Sequence, residues 1–160
     1  MSRLNFQLEK TAPGSRARAA RFLTLHGEVQ TPVFMPVGTQ ATVKAQTVDT
    51  LRATGSTVLL ANTYHLLLRP GLEVFRKFGG IHRFMHWDGP VLTDSGGFQI
   101  FSLPTARAPH EGGARFQSYV NGDYYLLSPE TSIAAQQAIG SDIMMVLDQC
   151  IPSTAPRDQA

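Results

Sequence analysis

The chain has 160 residues, of which 42% are hydrophobic and 16% charged, and its formal net charge is +2. This is the composition of a soluble globular protein with length for one core, and so small a charge gives no independent ground for nucleic-acid binding. A lone cysteine, Cys150, excludes an intrachain disulfide or a cysteine-based zinc cluster within these residues; the polar start and the short apolar runs give no secretory signal or membrane span, so a cytoplasmic protein with no membrane partner is expected.

Residues 1–30 read as a β-hairpin. Leu4, Phe6 and Leu8 alternate with polar residues, Ala12-Pro13-Gly14-Ser15 is a turn signal, and Phe22-Leu23-Thr24-Leu25 follows. Arg16, Arg18 and Arg21 read as a solvated face of this small sheet. From Thr31 the pattern becomes strand, helix, strand, helix. Val33-Phe34-Met35-Pro36-Val37 is a first apolar run ending at Gly38-Thr39-Gln40, and 45–53 reads as a helix stopped by Gly55. Thr57-Val58-Leu59-Leu60-Ala61 is a second run, ending at Asn62-Thr63-Tyr64-His65. A short helix over 72–78 closes at Gly79-Gly80, and a third run, Val91-Leu92, ends at Asp94. A hairpin insertion over 115–127 turns at Asn121-Gly122. Ser128-Pro129-Glu130 then opens a helix with a capping serine, a first-turn proline and an early acid; Ile133, Ala134, Gln137 and Ala138 continue it and Gly140 ends it. The fourth run, Ile143-Met144-Met145-Val146-Leu147, ends at Asp148.

Apolar runs alternating with helices predict a parallel sheet covered by helices, with ligands gathering at the carboxyl ends of its strands. Those ends carry Thr39 and Gln40, Asn62, Asp94 and Asp148. No Gly-x-Gly-x-x-Gly follows the first strand, which disfavours a dinucleotide fold. The expected architecture is α/β: about four βα units of a (β/α)8 TIM barrel over 31–160, preceded by the small β-hairpin of 1–30. A full barrel takes about 250 residues, so this is roughly half of one.

The densest local signal is Thr93-Asp94-Ser95-Gly96-Gly97-Phe98-Gln99. Glycines allow close approach to a ligand, an aromatic ring can stack on a flat heterocycle, and a carboxylate can move a proton. Together they point to a pocket for a nucleobase-like molecule with acid/base chemistry at its edge.

With Thr31-Pro32-Val33-Phe34-Met35-Pro36-Val37-Gly38-Thr39, Ala61-Asn62-Thr63-Tyr64-His65-Leu66 with Arg69-Pro70-Gly71, and Leu127-Ser128-Pro129-Glu130, that segment makes the chain resemble the N-terminal portion of a tRNA-guanine transglycosylase. Gly140-Ser141-Asp142-Ile143-Met144 through Asp148 completes the match. The resemblance implies a bacterial-type barrel enzyme, a queuine tRNA-ribosyltransferase, that replaces the wobble guanine of G-U-N anticodons with a 7-deazaguanine. A family aspartate attacks the ribose C1′, guanine leaves, and the covalent tRNA–enzyme intermediate accepts the new base. Asp94 matches the general acid/base aspartate. Ser95, Gly96 and Gly97 match the lining of the base pocket, Phe98 its stacking aromatic, and Asp148 the carboxylate on the guanine-like edge. Two carboxylate oxygens suit the adjacent N1–H and amine donors of that edge. Asn62 and Gln99 either contact base or ribose or brace the loops. Cys150 matches a pocket-wall position of bacterial members and favours pre-queuosine-1 as the incoming base. Phe98 stands where many such members have tyrosine, and keeps the stacking face without the hydroxyl.

His65 is expected to pack with a hydrogen bond rather than catalyse, and His82, His86 and His110, lacking ligand spacing, to lie at the surface. No metal or cofactor is expected among these residues. The resemblance places the nucleophile, most tRNA contacts and a structural zinc held by three cysteines and a histidine in a later portion, and implies a homodimer. The chain is therefore expected to be an N-terminal fragment, inactive alone. Two other readings stay open: a non-catalytic partner subunit or inactive remnant that binds base or docks on an active enzyme, and a glycoside hydrolase, since paired acids also suit sugar chemistry.

Overall fold

A computed structural model describes residues 4–102 and 112–159. Three strands, β1 (Gln7–Thr11), β2 (Arg18–Thr24) and β3 (Gly27–Thr31), form an antiparallel sheet in that order. The expected hairpin thus gains a third strand. Its alternation is faint because Val29 is the one buried residue of β3. Arg21 lies between acids, with Nε 3.3 Å from Glu9 and Nη1 3.7 Å from Glu28, on the solvated face anticipated for it.

The central sheet is parallel. Helix α1 (Val48–Ala53) precedes β4 (Leu59–Ala61), which is followed by α2 (Thr63–Leu66), a kinked stretch Leu67–Gly71, α3 (Leu72–Phe78), α4 (Ile81–Met85), β5 (Val91–Thr93) and α5 (Gly97–Ser102). The hairpin β6 (Ala114–Gln117) and β7 (Tyr124–Leu127) leads to α6 (Pro129–Ile139) and β8 (Ile143–Met144). Strands pair in the order β4-β5-β8, with Leu60 opposite Leu92 and Leu92 opposite Ile143. The first apolar run joins as a single parallel bridge, Val37 to Leu60, rather than a strand. Pro32 and Pro36 lack the N–H that a ladder needs, so pairing shrinks to Leu60 N–H on Pro36 O and Gly38 N–H on Leu60 O. The four runs lie side by side in chain order, as a barrel segment would, but the described residues close no barrel.

Helix α3 and strand β7 keep their expected bounds, whereas α1, β4 and β8 are shorter than their predicted runs. Helix α1 starts three residues late, where the Thr47 hydroxyl accepts from Thr50 N–H. Helix α6 is capped as expected by Ser128, with Pro129 in its first turn and Gly140 left-handed at its end. Its buried face is Ser132, Ala135, Gln136 and Ile139. Half of that face is polar, so hydrophobic periodicity does not reveal it.

Two apolar clusters hold these layers together. Leu51, Leu59, Leu66, Phe75, Ile81, Val91 and Ile139 pack between sheet and helices. Each large side chain fully buried this way contributes roughly 1.5–3 kcal/mol. Tyr64, Ile100, Phe116 and Leu127 form the second cluster and seat the β6–β7 hairpin against α2 and α5. Below the sheet, the Asp142 side chain has no exposed surface. Its oxygens accept from His26 N–H, the His26 ring, the His82 ring and Val91 N–H at 3.1, 2.8, 3.0 and 2.9 Å. This carboxylate fastens the β2–β3 turn to α4 and β5. His86 is exposed, as the sequence suggests, whereas His82 is buried because it is a partner of Asp142; His110 lies outside the described residues. Burial alone would raise the Asp142 pKa, but the hydrogen bonds from the His82 ring, Val91 N–H and the His26 ring, with the Coulombic pull of His26, outweigh it and hold the carboxyl well below the usual carboxylate range.

Candidate active site

Asp94 is the first residue past β5, and its N–H still bonds Ala61 O, the last residue of β4. Its carboxylate is held from the β4 side. Asn62 Nδ2 donates to Oδ2 at 2.5 Å and Thr63 N–H donates to Oδ1 at 2.8 Å, while the Thr63 hydroxyl donates to Asp94 O. Asn62 therefore hydrogen-bonds the Asp94 carboxylate, a role that the sequence reading did not name. Thr63, fully buried beside it, is a site residue that sequence reasoning passed over.

Ser95 faces the other way. Its hydroxyl donates to Asp148 Oδ1 at 3.0 Å and accepts from Gly97 N–H at 3.2 Å. Asp148 stands just beyond β8, the neighbour of β5, so the two acids occupy the mouths of adjacent strands on either side of Ser95. Gly97 is buried against Asp148, and Gly96, at φ +83°, is packed under Tyr64 and Leu127. Both glycines are thus required by close approach or by backbone conformation. Phe98 exposes 60% of its surface and has no ring partner among the described residues, which leaves a face available for stacking. Gln99 Oε1 is buried with no hydrogen-bond partner among the described residues. Cys150 Sγ lies 3.7 Å from Asp148 Oδ2; burial first, and that carboxylate second, push its thiol pKa up.

Behind the acids, α6 supplies a polar brace. Ser132 Oγ donates to Ser95 O at 2.7 Å, and Thr93 Oγ1 donates to Gln136 Oε1 at 2.8 Å. A cavity of about 460 Å³ is lined by Thr39, Gln40, Lys44, His65 and Tyr119, among others, and includes neither acid. His65 Nδ1 is 3.2 Å from the Tyr119 hydroxyl, consistent with a packed histidine.

His26, His82 and Asp142 offer three potential metal-ligand atoms within 4.8 Å of one another. The two imidazoles stack at 3.5 Å with a 13° tilt, so no nearby point lies in both ring planes. A metal bound by both rings would need one. The carboxylate is also saturated by donors. The cluster is a hydrogen-bonded clamp.

Against known proteins, residues 13–160 match the family model described as queuine tRNA-ribosyltransferase. The chain is 54% identical over 147 residues to the protein of that name from Desulforudis audaxviator, covering 92% of this chain and 40% of the relative. It is 56% identical over 141 residues to that of Solidesulfovibrio magneticus, covering 88% and 38%. For Listeria welshimeri the figures are 51% over 158 residues, covering 99% and 42%. The chain spans about two fifths of the length of the relatives it matches.

Proposed function

The chain belongs to the queuine tRNA-ribosyltransferase family, and from that premise we propose that it supplies the general acid/base and one wall of the base pocket for exchange of the wobble guanine in tRNA. The incoming base is a 7-deazaguanine, pre-queuosine-1. The observation that carries this reading is the Asp94–Ser95–Asp148 arrangement, two acids at neighbouring strand mouths joined through one serine.

Asp94 gives a proton to the departing guanine and, as carboxylate, takes one from the incoming base while that base attacks C1′. Asn62 and Thr63 aim its oxygens and keep the side chain from rotating. Asp148 accepts from the N1–H and amine edge, and its side chain is held by the Ser95 hydroxyl. Phe98 stacks on the base. The attacking carboxylate and most tRNA contacts are supplied from outside this chain, within a barrel that these strands begin. A homodimer and a Cys3His zinc site belong to the same proposal; Cys150 cannot provide that ligand set.

The test is transfer of labelled guanine into tRNA by the 160-residue chain and by a version continued with the remaining sequence of the Desulforudis audaxviator relative. The continued version should incorporate label and the chain alone should not. Incorporation by the chain alone would refute an external nucleophile, and none by the continued version would refute the assignment.

A further inference from the structure

β8 is only two residues long, yet the segment that follows it must carry Asp148 to a fixed place beside Ser95. Beyond Met144 the sheet provides one more ladder bond, Met145 N–H to Thr93 O at 3.2 Å. The rest of the pairing comes from a side chain. Gln136, fully buried on α6, donates from Nε2 to Met145 O at 2.9 Å and accepts at Oε1 from Met145 N–H at 3.0 Å. An amide that bonds both the N–H and the C=O of one residue does what a neighbouring strand would do. Its remaining capacity is filled by Thr93 Oγ1 at 2.8 Å and Ser132 Oγ at 3.2 Å, so all four of its hydrogen bonds are made. Thr93 immediately precedes Asp94, and Ser132 also holds Ser95 O at 2.7 Å. One buried amide therefore grips both strand ends that bear the acids.

We propose that Gln136 is a positioning residue: it sets the separation of Asp94 and Asp148, and with it the recognition of the base, by acting as a strand substitute between β5 and the segment after β8. This rests on the base-pocket reading of Asp148. Asp94 has a second set of anchors in Asn62 and Thr63 and Asp148 has one in the Ser95 hydroxyl, whereas no other side chain among the described residues bonds the backbone of Met145, through which the Asp148 segment is held to the sheet. Loss of Gln136 should thus move Asp148 more than Asp94.

The experiment uses the continued protein described above, with Gln136→Leu, Gln136→Glu, Ser132→Ala and Asp148→Asn, measuring kcat and KM for guanine, thermal midpoint, and hydrogen exchange at the Met145 amide. Gln136→Leu should raise KM for guanine on the order of 10–100-fold, as expected for a recognition group displaced by about an ångström, with a smaller change in kcat. Its Met145 amide should exchange faster. A merely structural role would lower the thermal midpoint and the active fraction without moving KM. Gln136→Glu keeps the acceptor and should recover part of the KM. If Asp148→Asn raises KM and folded Gln136→Leu does not, the positioning role is refuted. If Asp148→Asn leaves KM unchanged, the base-pocket reading itself fails, and the inference with it. Should Gln136→Leu not fold, Gln136→Glu and Ser132→Ala decide: an unchanged KM in both refutes the proposal, and a raised KM in either supports it.

Discussion

Gly97 and Asp148 are in contact so close that a β-carbon on Gly97 would stand 2.8 Å from Asp148 O and 2.9 Å from its Oδ1. Real β-carbons do not approach oxygen so closely, and the backbone oxygen cannot rotate away. Gly97→Ala should therefore push the Asp148 segment outward, at a cost of about 1–3 kcal/mol for overpacking. Since Asp148 is the proposed recognition group, KM for guanine should rise about tenfold for each ~1.4 kcal/mol that falls on binding. Steady-state kinetics on the continued protein checks this. An unchanged KM would mean that the pocket absorbs the methyl group elsewhere.

Asp94→Asn removes the proposed proton donor and acceptor while keeping shape. Base exchange should fall by about 10²–10⁴, the usual worth of a positioned acid/base group. Asn62→Ala leaves the acid in place but frees Oδ2 from its amide partner. Its effect should be smaller and confined to kcat, because Asn62 touches Asp94 and not the proposed recognition group. Pre-steady-state measurement of guanine release separates the two. Release at the wild-type rate by Asp94→Asn would remove Asp94 from the mechanism.

The parts legible in the sequence are those written within a few residues of one another. The Ser128-Pro129 start and Gly140 stop of α6, the Asn121-Gly122 hairpin, and α3 over Leu72–Phe78 need only local turn and capping chemistry, and they stand where expected. The strand mouths holding Asp94 and Asp148 follow from apolar runs that end in acids. What periodicity cannot show is a polar residue used as packing. Gln136 and Ser132 occupy the inner face of α6, while Ala134 on the same helix is exposed. Nor can it show a partner 116 residues away, which is the separation of His26 from Asp142. His82 looks like a surface residue until that carboxylate is seen to claim it.

The Asp142 clamp makes an acid-stability prediction. Its carboxyl is lower in the folded chain than in the unfolded one, where an aspartate titrates at roughly 3.9. The folded state is therefore favoured by the ionised form, fully so above about pH 4, and that contribution is lost as pH falls below the unfolded value. Asp142→Asn should lower stability at neutral pH by about 1.5–3 kcal/mol, the scale of a hydrogen bond to a charged group, and should flatten the acid limb of the stability curve. Denaturant melts between about pH 2 and 7 measure both. An acid limb equally steep in the variant would assign the dependence to other carboxylates.

Ser128 offers the last test, because its one hydroxyl serves both helix start and a titratable neighbour. Its Oγ accepts from Thr131 N–H at 3.2 Å and donates to Glu130 Oε2 at 2.7 Å, while Thr131 Oγ1 reciprocates by accepting from Ser128 N–H at 2.7 Å. Ser128→Ala strands the Thr131 N–H and should cost about 1 kcal/mol, with Ser128→Thr restoring most of it. The hydroxyl is also the main reason that the Glu130 carboxyl sits below its ordinary range, its own backbone N–H being the second. In Ser128→Ala the Glu130 carboxyl should titrate at higher pH, readable from its side-chain carbon resonance. Stability lost with no movement of that titration would mean that the cap acts through the backbone alone. Both changes together would establish that α6, the helix that presents Ser132 and Gln136 to the acids, is anchored at its first turn by this hydroxyl.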